Sequence, residues 1–149
     1  MKEQEEVIYI AGKSTLDERN RIRFFAEQLT ERGCRIAFNW FDYSPGDNGV
    51  SEKELFIQDV EAVRNCTCFI LVFSSQPNAM IGAYVELGIA VSSTRCTRII
   101  AVGSPPDPNV MLCGIEKVYA NEQQVLNEEF KNGKRKVTQT RIMKQTGDE

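Results

Sequence analysis

The sequence predicts a three-layer α/β fold of the flavodoxin-like or Rossmann-like kind, with a parallel sheet of about five strands in the order 2-1-3-4-5 and helices on both faces. Short β-branched runs such as Val7–Ala11 are continuously apolar, as expected of strands that are buried on both faces. Longer segments with apolar residues at helical spacing separate these runs. Strands that alternate with helices favour right-handed crossovers and parallel pairing.

Each helix and strand has its own signal. The first helix places Ile22, Phe25 and Leu29 on one face and stops at Gly33, and Ser51 begins a capping-box pattern at the second helix. The predicted elements, in chain order, are a strand at 7–11, a helix over about 15–32, a strand at 35–40, a helix over about 51–65, a strand at 68–73, a helix over about 82–93, a strand at 98–103, a short edge strand at 117–119 and a helix over about 122–130.

Composition indicates one compact domain with a small-molecule ligand. The chain has 149 residues, 42% of them hydrophobic, which suffices for a single core. We place this domain at residues 1–132 and expect the basic, polar stretch 133–149 to be a disordered tail. A net charge of -3 and a pI near 5.2 argue against nucleic-acid polymers and anionic membranes as partners. The apolar runs are too short to span a bilayer and the charged amino terminus is not typical of a signal peptide, so we expect a cytoplasmic protein.

Cysteine and histidine usage restricts the chemistry. The five cysteines, Cys34, Cys66, Cys68, Cys96 and Cys113, lack the spacing of a disulfide framework or a zinc site, and we expect reduced thiols that fill the core. The chain has no histidine, which excludes Ser/His and Cys/His catalytic pairs and argues against a zinc centre. Acid–base chemistry is left to carboxylates, tyrosine, lysine or water, and we expect neither a metal nor another cofactor.

Glu86 is the carboxylate that the pattern singles out, because it stands alone in the apolar and glycine-containing stretch 81–91. A carboxylate in such surroundings reaches solvent, finds a partner or has its pKa raised, and perturbed groups are enriched at catalytic sites. Gly82, one turn earlier, leaves room for another group to approach. The pattern leaves open whether Glu86 lies on the solvent side of its helix. It also leaves open Asp59 as a solvated acid and Tyr9 as a core residue.

The carboxyl edge of the sheet is the expected ligand site. In a sheet of this order, ligands bind beyond the carboxyl ends of the strands, where the order reverses between strands 1 and 3. That edge gathers the segments 12–14, 40–47 and 74–82. Trp40, together with Phe41 and Tyr43, is a candidate either for stacking on a heteroaromatic ring or for packing.

Four motifs along the chain resemble those of one group of enzymes. They are, in order, Ile8-Tyr9-Ile10-Ala11-Gly12 in the first strand, Gln58-Asp59-Val60 in the helix before the third strand, Gly82-x-x-x-Glu86-Leu87-Gly88-x-Ala90, and Asn109-x-Met111-x-x-Gly114. In this order and spacing, over roughly residues 7–114, the chain is similar to the nucleoside 2-deoxyribosyltransferases and the related deoxynucleoside 5'-monophosphate N-glycosidases.

The resemblance implies a role for each matched residue. Glu86 would be the nucleophile that attacks the anomeric carbon of a deoxyribose and forms a covalent glycosyl ester, Asp59 the acid that holds the nucleophile or the substrate, and Tyr9 the hydroxyl that tunes the nucleophile's charge. Asn109 and Met111 are similar to the pair that the transferases lend to a neighbouring subunit's site, which implies a homodimer or a higher homo-oligomer. The further substrate-binding candidates are Gly12, Lys13, Ser14, Trp40, Asn78 and Gly82.

The chain departs from the family pattern at two places. Met80 stands where family members often carry an acid or a serine that meets the base or phosphate, and Cys66-Thr67 stands where they often have an aspartate. Asn78 is the candidate that would meet the base instead.

Three functions are compatible with these residues. The resemblance favours a transferase that moves a deoxyribosyl group from one base to another. The second function uses water as the acceptor and a 5'-monophosphate as the substrate, with Lys13, Ser14, Arg19 or Arg21 near the phosphate. The third is a TIR-like nucleotide-binding or signalling domain, which shares this type of sheet and also places a glutamate on the helix that follows a central strand.

Overall fold

A computed structural model of the chain describes residues 5–43, 50–74, 80–105 and 110–131. These residues form a parallel sheet in the order β2-β1-β3-β4-β5. The strands are β1 (Val7–Ala11), β2 (Arg35–Ile36), β3 (Cys68–Val72), β4 (Arg98–Val102) and β5 (Lys117–Tyr119). The predicted fold class and strand order are therefore confirmed. The expected tail at 133–149 lies outside the described residues.

Helices cover both faces of the sheet. They are α1 (Leu16–Glu31), α2 (Glu52–Asn65), α3 (Ile81–Ser92) and α4 (Glu122–Glu129), with short 3-10 helices at Trp40–Asp42 and Val110–Gly114. The Ser51 hydroxyl accepts from the Glu54 amide at 3.1 Å while the Glu54 carboxylate accepts from the Ser51 amide at 3.0 Å, which confirms the capping box. Within the described ranges, no helix is long and apolar enough to cross a membrane.

Alternate residues of β1 and β3 belong to two separate apolar cores. Ile8 and Ile10 pack with side chains from α1 and α4, whereas Tyr9 and Ala11 pack with side chains from α2 and α3. Because side chains of a strand alternate between faces, this division places Tyr9 on the α2/α3 side of the sheet.

The predicted second strand at 35–40 was too long. β2 pairs with β1 only at Arg35 and Ile36, and one further bond runs from the Ala37 amide to the Ile8 carbonyl at 2.8 Å. Farther along β1, the Ile10 carbonyl accepts from the indole N–H of Trp40 at 2.7 Å. A side chain thus occupies an acceptor that a longer β2 would have used, and the backbone turns into the 3-10 helix instead.

An ionic cluster closes the amino edge of the sheet. The Arg98 guanidinium binds the carboxylate of Glu6 at 2.9 Å and also that of Glu129, and it lies over the ring of Phe130 with its central carbon 4.8 Å from the ring centroid. The three charged side chains are only 13–16% exposed. This cluster lies at the opposite end of the sheet from the carboxyl edge where a ligand is expected.

Candidate active site

A cavity of about 240 Å³ opens at the carboxyl ends of β1 and β3, the place where the strand order reverses. It lies where ligands bind in open α/β sheets. Its lining comes from the loop after β1, the Trp40 turn, α2 and the first turns of α3. The lining residues are Gly12, Lys13, Ser14, Trp40, Asp59, Met80, Ile81, Gly82, Ala83 and Glu86.

Tyr9 joins the two acids of this cavity. Its hydroxyl lies 2.9 Å from Glu86 Oε2 and 3.2 Å from Asp59 Oδ1. Its ring is fully buried and stacks on Phe69 of β3, with the centroids 5.9 Å apart and the planes 5° from parallel. A phenol carries a single proton, so the hydroxyl donates to one carboxylate at a time. Tyr9 therefore holds Glu86 and Asp59 on either side of a fixed oxygen.

Two packed helices bring Asp59 and Glu86 to Tyr9. Asp59 lies midway along α2, one helical turn before the buried Val63, and Glu86 lies beside the buried Leu87 of α3. Contacts between α2 and α3 place the two acids on facing sides of the same cavity. Glu86 is therefore not on the solvent side of its helix, and Asp59 is not a fully solvated acid.

Burial weakens the acidity of both carboxyl groups. It raises the pKa of Glu86 to about 8, with a further increase from the Asp59 charge and an opposing decrease from the Tyr9 hydrogen bond. Burial likewise raises the pKa of Asp59 to about 6, again opposed by the hydrogen bond from Tyr9. The Tyr9 pKa lies well above its ordinary value because the hydroxyl is buried and faces both acids. At neutral pH the acid pair consequently retains close to one proton.

Of the three aromatic residues considered for stacking, Trp40 reaches the cavity. Its indole N–H is fixed by the Ile10 carbonyl, and its ring meets Phe41 edge-on at 5.8 Å. Phe41 is buried in the core beneath α1, and Tyr43 stacks on Phe38. Packing thus accounts for Phe41 and Tyr43, while Trp40 presents an aromatic surface to the cavity.

The basic residues near the start of α1 have different surroundings. Lys13 and Ser14 line the cavity. Arg21 pairs with Glu122 at 2.5 Å and with Glu18 at 3.4 Å, so its charge is already matched by two carboxylates. Arg19 donates to the Tyr43 carbonyl at 3.1 Å. Lys13 is therefore the basic side chain from this group that faces the cavity.

Three predicted substrate-binding residues lie wholly or partly outside the described residues. Asn78 and Asn109 lie outside the described residues. Met111 falls in the 3-10 helix Val110–Gly114, and its side chain lies outside the described part of the chain. Their roles stay predictions.

Solved structures share this architecture. A conserved protein from Enterococcus faecalis V583 matches with a TM-score of 0.65 at 15% identity, over 84% of this chain and 97% of that one. A 2-deoxyribosyltransferase from the psychrotolerant bacterium Bacillus psychrosaccharolyticus matches with a TM-score of 0.62 at 13% identity, over 87% of this chain and 96% of that one. The chain has the fold of this 2-deoxyribosyltransferase. No protein-family model matches the chain, and no curated protein matches it in sequence.

The resemblance inferred from the motifs is thus confirmed at the level of the 2-deoxyribosyltransferase fold. Sequence reasoning missed Ile81 and Ala83 as lining residues, and it treated Met80 only as a departure from the family pattern. Met80 is 3% exposed and packs with the α2/α3 core while it lines the cavity. Their place in the chain could have predicted this role, because the residues that begin a helix after a central parallel strand lie at the carboxyl edge of the sheet, where a ligand is expected.

Proposed function

We propose that the protein cleaves the N-glycosidic bond of 2'-deoxyribonucleosides and transfers the deoxyribosyl group to another base. The observation that carries this proposal is the Tyr9 hydroxyl between Glu86 and Asp59 at the base of a cavity. A carboxylate held in place by a neighbouring hydroxyl is a suitable nucleophile for a sugar carbon with developing positive charge.

The reaction has two displacement steps. Glu86 Oε forms a bond to the anomeric carbon while the bond from that carbon to the base nitrogen breaks, and the base leaves with the electron pair and takes up a proton from solvent. A ring nitrogen of a second base then attacks the anomeric carbon of the glutamyl ester and gives up its proton to solvent, and Glu86 is released as a carboxylate. Retention of configuration follows from two successive inversions. Trp40 offers the surface on which the base stacks.

Base release tests the function directly. The protein is incubated with deoxyadenosine or deoxycytidine, with and without a free acceptor base, and products are followed by chromatography. We expect a new deoxynucleoside when the acceptor is present. If a nucleoside binds but no bond is cleaved, the result supports the nucleotide-binding or signalling alternative and contradicts the enzyme proposal.

A hydrolase acting on deoxynucleoside 5'-monophosphates is the second candidate. It is favoured by the start of α1, where Thr15 makes no side-chain capping bond and Lys13 and Ser14 line the adjacent cavity. Backbone amides at a helix start, together with a lysine, are suited to a phosphate. Release of base from monophosphates alone, reduced by Lys13→Ala, would favour the hydrolase over the transferase.

The pH dependence should report on Glu86. The nucleophile must be ionised, so we expect kcat/KM to rise with pH and to level off above the Glu86 pKa of about 8. Tyr9→Phe removes the hydrogen bond that lowers this pKa, so the rise should move to higher pH. Rates measured across this range provide the check, with Tyr119→Phe as a control because that hydroxyl contacts Glu129 away from the cavity. An unchanged or lower midpoint in Tyr9→Phe would contradict the assignment.

We also propose that a second copy of the chain covers the mouth of the cavity, as the predicted roles of Asn109 and Met111 require. Support comes from large apolar side chains left in solvent on α2 and α3. Phe56 is 64%, Ile81 71% and Val85 59% exposed. Such side chains are typical of a surface that another protein covers.

A charged residue in this surface should separate the subunits. We expect the parent protein to sediment as a dimer or larger, and Phe56→Asp to shift it towards the monomer with loss of activity, because burying an unpaired carboxylate is unfavourable. Phe24→Asp is a matched control, since Phe24 is 62% exposed but lies on α1 across the sheet. A monomeric parent, or an equal effect of the two substitutions, would count against the shared site.

A further inference from the structure

The amino edge of the sheet contains a pair of thiols that the glycosidic chemistry does not use. Cys66 follows the last residue of α2, and Cys96 lies between α3 and β4. The Thr97 and Arg98 amides both donate to the Thr67 carbonyl, at 3.0 and 3.3 Å, which brings the segments before β3 and β4 together. The Cys66 thiol donates to the Val63 carbonyl at 3.2 Å and the Cys96 thiol to the Arg98 carbonyl at 3.4 Å. Cys68 pairs with Arg98 in the register of β3 and β4, so Cys66 and Cys96, each two residues earlier, lie beside each other and pack with the same apolar core.

The two thiols differ in solvent exposure and in pKa, which gives them different roles in an oxidation reaction. Cys96 is partly exposed, whereas Cys66 is fully buried. The neighbouring Cys66 thiol lowers the pKa of Cys96, whereas the neighbouring Cys96 thiol and burial raise the pKa of Cys66. A thiol of lowered pKa that can be reached from solvent and has a second thiol beside it is the arrangement of redox-active cysteines.

The nearby Cys68 is not a competing partner. It belongs to the core on the opposite face of the sheet, with α1 and α4, and burial raises its pKa. Cys34 belongs to that same core, and Cys113 is exposed on the 3-10 helix after β4. The sheet therefore lies between the Cys66–Cys96 pair and the other buried thiols.

We propose that Cys66 and Cys96 form a peroxide-reactive dithiol, in which Cys96 is oxidised first and Cys66 closes a disulfide. The Cys96 thiolate attacks one oxygen of a hydroperoxide, the O–O bond breaks, and the leaving oxygen takes up a proton to give an alcohol or water. The Cys66 sulfur then attacks the Cys96 sulfenic acid, its proton and the departing hydroxide form water, and the S–S bond results. Two thiols lose two electrons in total and the hydroperoxide gains them.

The disulfide would join the far ends of the two helices that carry the acids. Asp59 lies on α2, which ends next to Cys66, and Glu86 lies on α3, which ends shortly before Cys96. This places the oxidisable pair at the opposite end of the same helix pair that forms the cavity. The two thiols take no part in the glycosidic chemistry, so this inference does not depend on the proposed function.

Oxidation of the full chain with hydrogen peroxide provides the test. Cys113→Ser is used as the background, because an exposed thiol can form bonds between molecules. After one equivalent of peroxide, alkylation and digestion without reductant, we expect the Cys66–Cys96 linked peptide to be the main oxidised product. Before oxidation, iodoacetamide should label Cys96 about tenfold faster than Cys66, in keeping with thiolate-controlled reactivity.

Single cysteine variants separate sulfenic acid formation from disulfide formation, and neither readout requires enzymatic activity. Cys66→Ser should accumulate a dimedone-reactive sulfenic acid at Cys96, and Cys96→Ser should give no disulfide. If Cys66→Ser does not fold, the linked peptide of the background protein still decides the question. A disulfide between other cysteines, or oxidation of Cys96 without any link to Cys66, would overturn the proposal.

Discussion

Glu86→Gln should abolish base release, with a loss in kcat on the order of 10⁴-fold or more, the range found when a covalent nucleophile is removed. Gln has nearly the same shape, and its amide oxygen can still accept from Tyr9, so the variant removes the nucleophile while retaining the local packing. Steady-state rates with deoxyadenosine and an acceptor base give the comparison. A fluorinated deoxynucleoside that slows the second step should leave an ester on Glu86, detectable by mass spectrometry in the parent protein only.

A control acid outside the cavity makes this result specific. Glu27 is exposed on α1, and Glu27→Gln should retain parental rates. If Glu86→Gln releases base as fast as the parent, Glu86 is not the nucleophile and the two-step mechanism fails. An ester found on Asp59 instead would exchange the roles of the two acids.

Arg98→Leu should destabilise the fold by about 3–5 kcal/mol, the magnitude associated with breaking a buried ion pair from one side. The substitution leaves the Glu6 and Glu129 carboxylates, which are 13% and 16% exposed, without their shared cation. It also removes the guanidinium that lies over Phe130. Urea unfolding followed by circular dichroism measures the change in the free energy of unfolding.

Arg35→Leu is the matched control for this ion cluster. Arg35 pairs with Glu5 at 3.3 Å, but their side chains are 60% and 58% exposed, so we expect a change below about 1 kcal/mol. Equal effects of the two substitutions would show that burial does not govern the strength of the Arg98 cluster. Such a result would indicate that both variants lose stability because the arginine side chain no longer packs against its neighbours, and not because its charge is missing.

The central strands could be predicted because they are buried on both faces. The apolar runs at β1 and β3 can be recognised as strands without knowing which elements pack against them. The Ser51 cap can be recognised in the same way, because its partner Glu54 is only three residues away in the sequence. The length of β2 could not be predicted in this way. It depends on the Trp40 indole binding the Ile10 carbonyl, a contact between segments far apart in the chain.

The site was partly predictable for a related reason. The order of the motifs pointed to Tyr9, Asp59 and Glu86, and all three meet in the structure. The pKa values of about 6 for Asp59 and about 8 for Glu86 result from burial between packed helices. The spacing of apolar residues along the sequence does not show how deeply a carboxyl group is buried. The Cys66–Cys96 contact was unpredictable for the same reason, because strand register rather than sequence spacing brings the thiols together.

Gly82 lowers the stability of its helix but leaves free volume in the lining of the cavity. A Cβ built at this position meets no described atom within 4 Å, so neither crowding nor a special backbone angle demands a glycine. Glycine in a helix is nevertheless less stable than alanine by about 0.5–1 kcal/mol. The chain thus keeps a weaker first turn of α3 beside the carboxylate of Glu86. The missing side chain leaves volume in the cavity lining, so a larger residue at position 82 would narrow the cavity without disturbing the packing of the described residues.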